Sequence, residues 1–209
     1  MKLFLARHGE SIWNAEGRYQ GRQDPPLSER GVAQARLLAA QLQTNRIDAI
    51  VSSPLQRSLE TARICAETLG PRVVADANLT EISHGQWEGE LLADVAQRWP
   101  HLLAQWRNAP AEVRFPDGES LYDVNARLAA FLSAAPEYGK RLLAVTHDVI
   151  IRLAMLWASG KPVSTFNEVH SDNAALSEFE LDGAALSGVA LNVTKHLGQL
   201  RGSAVPQAL

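Results

Sequence analysis

The feature that most constrains this chain is a change of character around residue 146. Arg141 to Val145 reads as a continuous apolar run, Thr146-His147-Asp148 is polar, and a second apolar stretch then reaches Trp157. A short apolar run without alternation is what a parallel strand covered on both faces requires, and the stretch behind it is long enough for a helix. The pattern recurs. Lys2 to Ala6 precedes Arg7-His8-Gly9-Glu10, Asp48 to Val51 precedes Ser52-Ser53-Pro54, and a short third strand, Arg72 to Ala75, precedes Glu81. Between the strands lie helical patterns. Ser28 opens one that runs to about Gln43, with Val32, Ala35, Leu38, Ala39 and Leu42 on one face. Ser53 and Pro54 suit the N-cap and first position of the next, which carries Leu55, Leu59, Ala62 and Ala66 and stops at Gly70-Pro71. Late strands are expected within 175–181 and 186–193. The alternation predicts an α/β fold: a mostly parallel central sheet with helices on both faces.

Residues 85–136 differ. They hold Trp87, Trp99 and Trp106, the breakers Pro100, Pro110 and Pro116-Asp117-Gly118, and helical patterns near 91–107 and 120–134. They read as a small helical lid inserted between sheet strands of a single domain spanning 1–209, with a separate interaction domain as the alternative. The tail after His196 is expected to be poorly ordered. The 209 residues, 46% hydrophobic, suffice for a core without a metal or disulfide staple. A net charge of −3 argues against the basic face of sequence-independent nucleic-acid binding. One cysteine, Cys65, allows no intrachain disulfide and points to a reducing, cytoplasmic setting. The apolar run after Lys2 is too short for a secretory signal, and His147, Asp148 and Arg152 interrupt the richest apolar stretch, so no membrane partner is expected.

Polar residues just past several parallel strands converge on one crevice, because ligands of open parallel sheets bind at the strands' carboxyl ends. Here the convergence would collect two histidines (His8, His147), two arginines (Arg7, Arg57) and a carboxylate (Glu81). Guanidinium forks match phosphate oxygens, and helix starts add oriented backbone donors. Neighbouring arginines lower an imidazole pKa, so a neutral His8 is available to attack phosphorus. The remaining histidines, His84, His101, His170 and His196, have no metal-ligand spacing and read as structural or surface groups, and Cys65 as a buried inert thiol. Ser120 and Asp123 have the spacing of a helix cap.

Arg7-His8-Gly9-Glu10-Ser11 with Trp13 and Asn14, then Leu27-Ser28-Glu29-Arg30-Gly31 leading to Gln34-Ala35, resembles the histidine phosphatase superfamily, in its phosphoglycerate mutase-like branch. The resemblance covers Leu3 to about Leu181. It implies that His8 becomes transiently phosphorylated, that Arg7, Asn14, Arg57 and His147 bind the transferred group, and that Glu81 donates and accepts the proton. It also implies that Gln20 and Gly21 touch substrate. Gly118-Glu119-Ser120 resembles a motif that opens a helix of the family's lid. No metal and no cofactor is implied; the partner is a small phosphorylated metabolite, and a homodimer is the family-level expectation.

The resemblance leaves two alternatives. A phosphoglycerate mutase would return the phosphoryl group to another substrate oxygen, but mutases of this family follow the catalytic Glu with Arg-His-Tyr-Gly, whereas Glu81 is followed by Ile-Ser-His-Gly. Hydrolysis is therefore the expected reaction. An inactive binding module is the third reading, and the presence of His8, Arg57, Glu81 and His147 argues against it. One departure stands out: Asp148 occupies a position where most relatives have Gly, and the superfamily's acid-phosphatase branch uses that Asp as proton donor. Asp148 is thus an alternative donor to Glu81. As a helix-start carboxylate it is otherwise expected to raise the pKa of His147 and keep that ring cationic.

Overall fold

The computed structural model describes residues 1–202. Six strands form one sheet: β1 (Lys2–Arg7), β2 (Ala49–Ser52), β3 (Val73–Ala75), β4 (Arg141–Thr146), β5 (Leu176–Asp182) and β6 (Ala185–Val193). Their order is β3-β2-β4-β1-β5-β6. The first four in that order run parallel; β5 is antiparallel to β1, and β6 to β5. The expected sheet is present, and its two faces explain the unalternating runs. Leu3, Leu5, Val51, Leu142 and Ala144 enter one core, and Phe4, Ala6, Ile50, Leu143 and Val145 enter the other.

Seven α-helices accompany the sheet among the described residues: α1 (Ile12–Glu16), α2 (Glu29–Leu42), α3 (Gln56–Leu69), α4 (Leu92–Arg98), α5 (Pro100–Asn108), α6 (Leu121–Ala134) and α7 (Asp148–Ala158). Leu38 and Leu42 of α2 and Ala62 and Cys65 of α3 line the second core, while α6 and α7 line the first. Ser28 caps α2 by accepting from the Gly31 amide. Ser120 and Asp123 form the expected capping box on α6, a feature worth about 1 kcal/mol.

Three expectations are corrected. α3 starts two residues later than its sequence suggests, with Leu55 as N-cap. The side chain of Ser53 accepts from the Leu55 amide, and Asp24, distant in sequence, takes the Gln56 amide at 2.6 Å. The helix near 91–107 is two helices, broken at Trp99 (φ −133°, ψ 54°), because the residue before a proline is pushed out of helical geometry. The tail past His196 is ordered as far as it is described. Leu200 accepts from Gln34 Nε2, and Arg201 and Gly202 both accept from Arg30. Residues 203–209 lie outside the described residues.

The 85–136 segment has no core of its own. Trp87, Val95, Leu103 and Trp106 belong to the same buried cluster as Leu3, Leu5 and Leu142. Helix α6, expected as part of the lid, packs on α7 and covers the sheet. Among the described residues no helix is long and apolar enough to cross a membrane, and no three His, Cys, Asp or Glu side chains form a metal cluster.

Candidate active site

Strand register builds the site. Arg7 pairs with Thr146 across β1 and β4, and Ser52 pairs with Val145 across β2 and β4, so three strands end level. The ladders run one residue further: His8 N donates to Thr146 O, and Ser53 N to Val145 O, both at 3.0 Å. His8 and His147 therefore emerge side by side, their rings 5.1 Å apart at 62°. The loop after β1 must pass close to the start of α2. A Cβ on Gly9 would lie 2.4 Å from Gly31 O, and one on Gly31 would lie 2.0 Å from Glu10 O, so neither position has room for a side chain.

The hydrogen bonds of His8 fix its tautomer. Arg57 Nε can only donate, and it lies 3.2 Å from His8 Nε2, so Nε2 must accept. Nδ1 then carries the proton and donates to Gly9 O at 2.7 Å. Burial, then Arg57, then Arg7 hold the His8 pKa well below its usual value, which confirms the sequence-based sign and makes burial the leading cause. Arg57 is pinned by two carbonyls, Gly21 O at 2.8 Å and Gln23 O at 2.7 Å. Arg7 donates to Ser171 O at 2.5 Å. Both arginines are almost fully buried.

His147 Nε2 lies 2.8 Å from Ser53 Oγ and 3.2 Å from Ser58 Oγ. The expectation that Asp148 keeps this ring cationic is overturned. Burial, then Arg57, His8 and Arg7, lower its pKa well below the usual value. Asp148 itself is turned away into an ion pair with Arg152 at 3.0 Å and with Arg7 at 3.5 Å.

Glu81 reaches the same cluster from the segment after β3. It is buried and accepts from the Ile82 amide at 2.9 Å. Burial, reinforced by Asp148 and opposed by the Ile82 amide, Arg57 and Arg7, pushes its pKa up to about 7. Asn14 Oδ1 accepts from Ser11 N, Ser11 Oγ and Asn173 Nδ2. Gln20 accepts from Ser11 Oγ at 2.6 Å, and Gly21 holds Arg57, so both support the crevice wall. His84, expected to be structural, is buried between Tyr19 and Phe115, with its pKa lowered to about 3.

Sequence reasoning missed the residues that hold the Glu81 segment. Arg127 donates to Asn78 O, Thr80 O and Glu81 O, and pairs with Glu119, which in turn accepts from Ser83 N. Thr146 Oγ1 donates to Leu79 O at 2.7 Å. Glu119 was visible only as part of a helix-opening motif. Arg127, 46 residues from Glu81, carried no local signal.

Buried cations beside a lone-pair nitrogen suit a tetrahedral dianion, and a carboxyl titrating near neutrality suits a departing oxygen; phosphoryl transfer needs both together. The sequence profile of the histidine phosphatase superfamily (branch 1) matches residues 3–194, and the chain belongs to that superfamily. It is 38% identical over 201 residues to "Phosphoserine phosphatase 1" of Hydrogenobacter thermophilus, covering 95% of both chains. It is 31% identical over 182 residues to "Probable phosphoglycerate mutase GpmB" of Yersinia pestis, covering 86% of this chain and 85% of that one. Among solved structures, Bacillus stearothermophilus YhfR superposes with a TM-score of 0.88 at 30% identity, covering 94% of this chain and 98% of that one.

Proposed function

We propose that the protein hydrolyses a small phosphomonoester through a phosphohistidine on His8, without a metal. The observation that carries this reading is the tautomer of His8: with Nδ1 protonated against Gly9 O, the lone pair at Nε2 points to the arginine side of the crevice. In the first step Nε2 forms a bond to phosphorus, the P–O ester bond breaks, and Glu81 gives its proton to the leaving oxygen. In the second, water attacks phosphorus, the P–N bond breaks, and Glu81 takes the water proton. Arg7 and Arg57 offset charge on the three equatorial oxygens, a role that a metal fills in other phosphoryl-transfer enzymes. Burial and then the arginine charges lower the His147 pKa, and a phosphate dianion between the rings offsets the second of these causes.

Glu81 is a better donor than Asp148. An acid must hold a proton near neutral pH, and Glu81, at about 7, does. Asp148 instead lies between two guanidinium groups. The 38% identical phosphoserine phosphatase makes phosphoserine the first substrate to test. Phosphoglycerate isomerisation is the second reading, favoured by the mutase-named relative.

Rapid quenching with 32P-labelled phosphoserine should trap an acid-labile, base-stable phosphoryl group, absent from His8→Ala. Label persisting in that variant would overturn the nucleophile. Release of inorganic phosphate should survive a chelator, whereas rapid conversion of 3-phosphoglycerate to 2-phosphoglycerate with negligible release would establish the mutase instead.

A further inference from the structure

We propose that Asp148 and Arg152 are a positioning pair that orients the Arg7 guanidinium for phosphate and ties it to the 85–136 segment. The three side chains form a buried row of alternating charge: Arg7 Nη1 to Asp148 Oδ1 at 3.5 Å, and Asp148 Oδ2 to Arg152 Nη1 at 3.0 Å. Asp148 is fully buried, and both arginines are at most 7% exposed. Asp148 Oδ2 holds Arg152 through a hydrogen bond, while Oδ1 faces Arg7 as an opposite charge across 3.5 Å, beside the bond from Arg7 Nη1 to Ser171 O.

Arg152 is fixed in turn. It donates to Phe166 O at 3.0 Å, and its guanidinium lies over the Phe166 ring, 3.7 Å from the centroid. It also donates to Asn167 Oδ1, and Asn167 Nδ2 donates to Trp106 O and Arg107 O at the end of α5. A continuous set of contacts therefore runs from α5, through 166–167 and α7, to the end of β1. The row serves the proposed reaction in two ways. It sets the direction of Arg7, and its charge acts on Glu81, whose other charged neighbours are Arg57 and Arg7, with Arg127 on its backbone carbonyl. The nearby rings of His8, His84 and His147 are all held neutral by burial.

The pair rests on the phosphatase reading, and it makes a test of sign. Asp148→Asn removes the negative charge from both neighbours. Inorganic phosphate should bind more tightly by calorimetry, and the basic limb of kcat for phosphoserine should move to lower pH, on the order of one unit. Arg152→Met leaves Asp148 to compete for Arg7, so phosphate should bind more weakly and the limb should move to higher pH. Both should lower kcat by about 10-fold to 100-fold, the cost of a misplaced binding group. Arg152→Lys should recover most of the phosphate affinity lost in Arg152→Met, and that pair carries the test even if Asp148→Asn does not fold. Shifts of the same sign in both variants, or unmoved pH limbs in folded variants, would overturn the proposal. Wild-type protein that binds no phosphate would overturn the phosphatase reading, and the pair with it.

Discussion

The two walls of the crevice are built by different means. On one, His8 and His147 continue strands β1 and β4, and backbone ladder bonds set their separation. On the other, Glu81 sits on an irregular segment held by side chains: Thr146 Oγ1, Arg127 and Glu119. The separation of the two rings therefore resists the loss of any one side chain, because backbone bonds set it. The Glu81 wall depends on a few side chains, each of which can be removed.

Three measurements would break or sharpen this contrast. The largest effect belongs to Glu81→Gln, which should slow phosphoserine hydrolysis by about 10²-fold to 10⁴-fold, the usual value of a positioned acid. The loss should be far smaller with p-nitrophenyl phosphate, whose leaving group needs no proton. Equal losses on both substrates would mean that Glu81 binds rather than donates. If the leaving-group contrast appears in Asp148→Asn and not in Glu81→Gln, the donor has been assigned to the wrong carboxylate.

Next comes Arg127→Met, which keeps the side-chain bulk and removes three bonds to carbonyls before and at Glu81. It should cost phosphoserine turnover about 10²-fold through misplacement, while binding of inorganic phosphate stays close to wild type. Loss of phosphate affinity of similar size would show that the two walls are not independent.

The smallest effect is on stability. Glu81 has its pKa raised from 4.5 to about 7, so the folded state binds its proton more tightly than the unfolded chain does. That contribution is full below about pH 4.5 and is lost as pH rises to about 7. His8 and His147, lowered from 6.5, act in the opposite sense, and their contribution is lost as pH falls below about 6.5. Glu81→Gln should therefore raise the melting temperature relative to wild type at pH 8 and not at pH 5. A gain at both pH values would mean that the carboxyl titrates normally.

The same contrast explains what the sequence disclosed. The wall of His8 and His147 was legible because each ring closely follows its own apolar run in the sequence. An apolar run ending in Thr146-His147, and another ending in Arg7-His8, place their polar ends level once the strands are parallel. The supports of Glu81 were not legible, because Arg127 and Glu119 act on backbone groups tens of residues away. Ser53 shows the limit of local rules. Its position before Pro54 reads as a helix cap, but its hydroxyl serves His147, and Asp24 takes over at the start of α3. Trp99-Pro100 erred in the other direction: the breaker was visible, and the periodicity across it suggested a single helix.

The place of β1 in the sheet has a consequence for how the chain is made. Strand β1 lies between β4 and β5, which begin at residues 141 and 176. During translation it has no sheet neighbour to pair with until β4 has been made, and His8 at its end stays without its partner ring for as long. Such late, non-local pairing is slow and leaves an apolar edge open to aggregation. The nascent protein is therefore expected to depend on chaperones most heavily before β4 emerges, and to become active only after the sheet closes around β1.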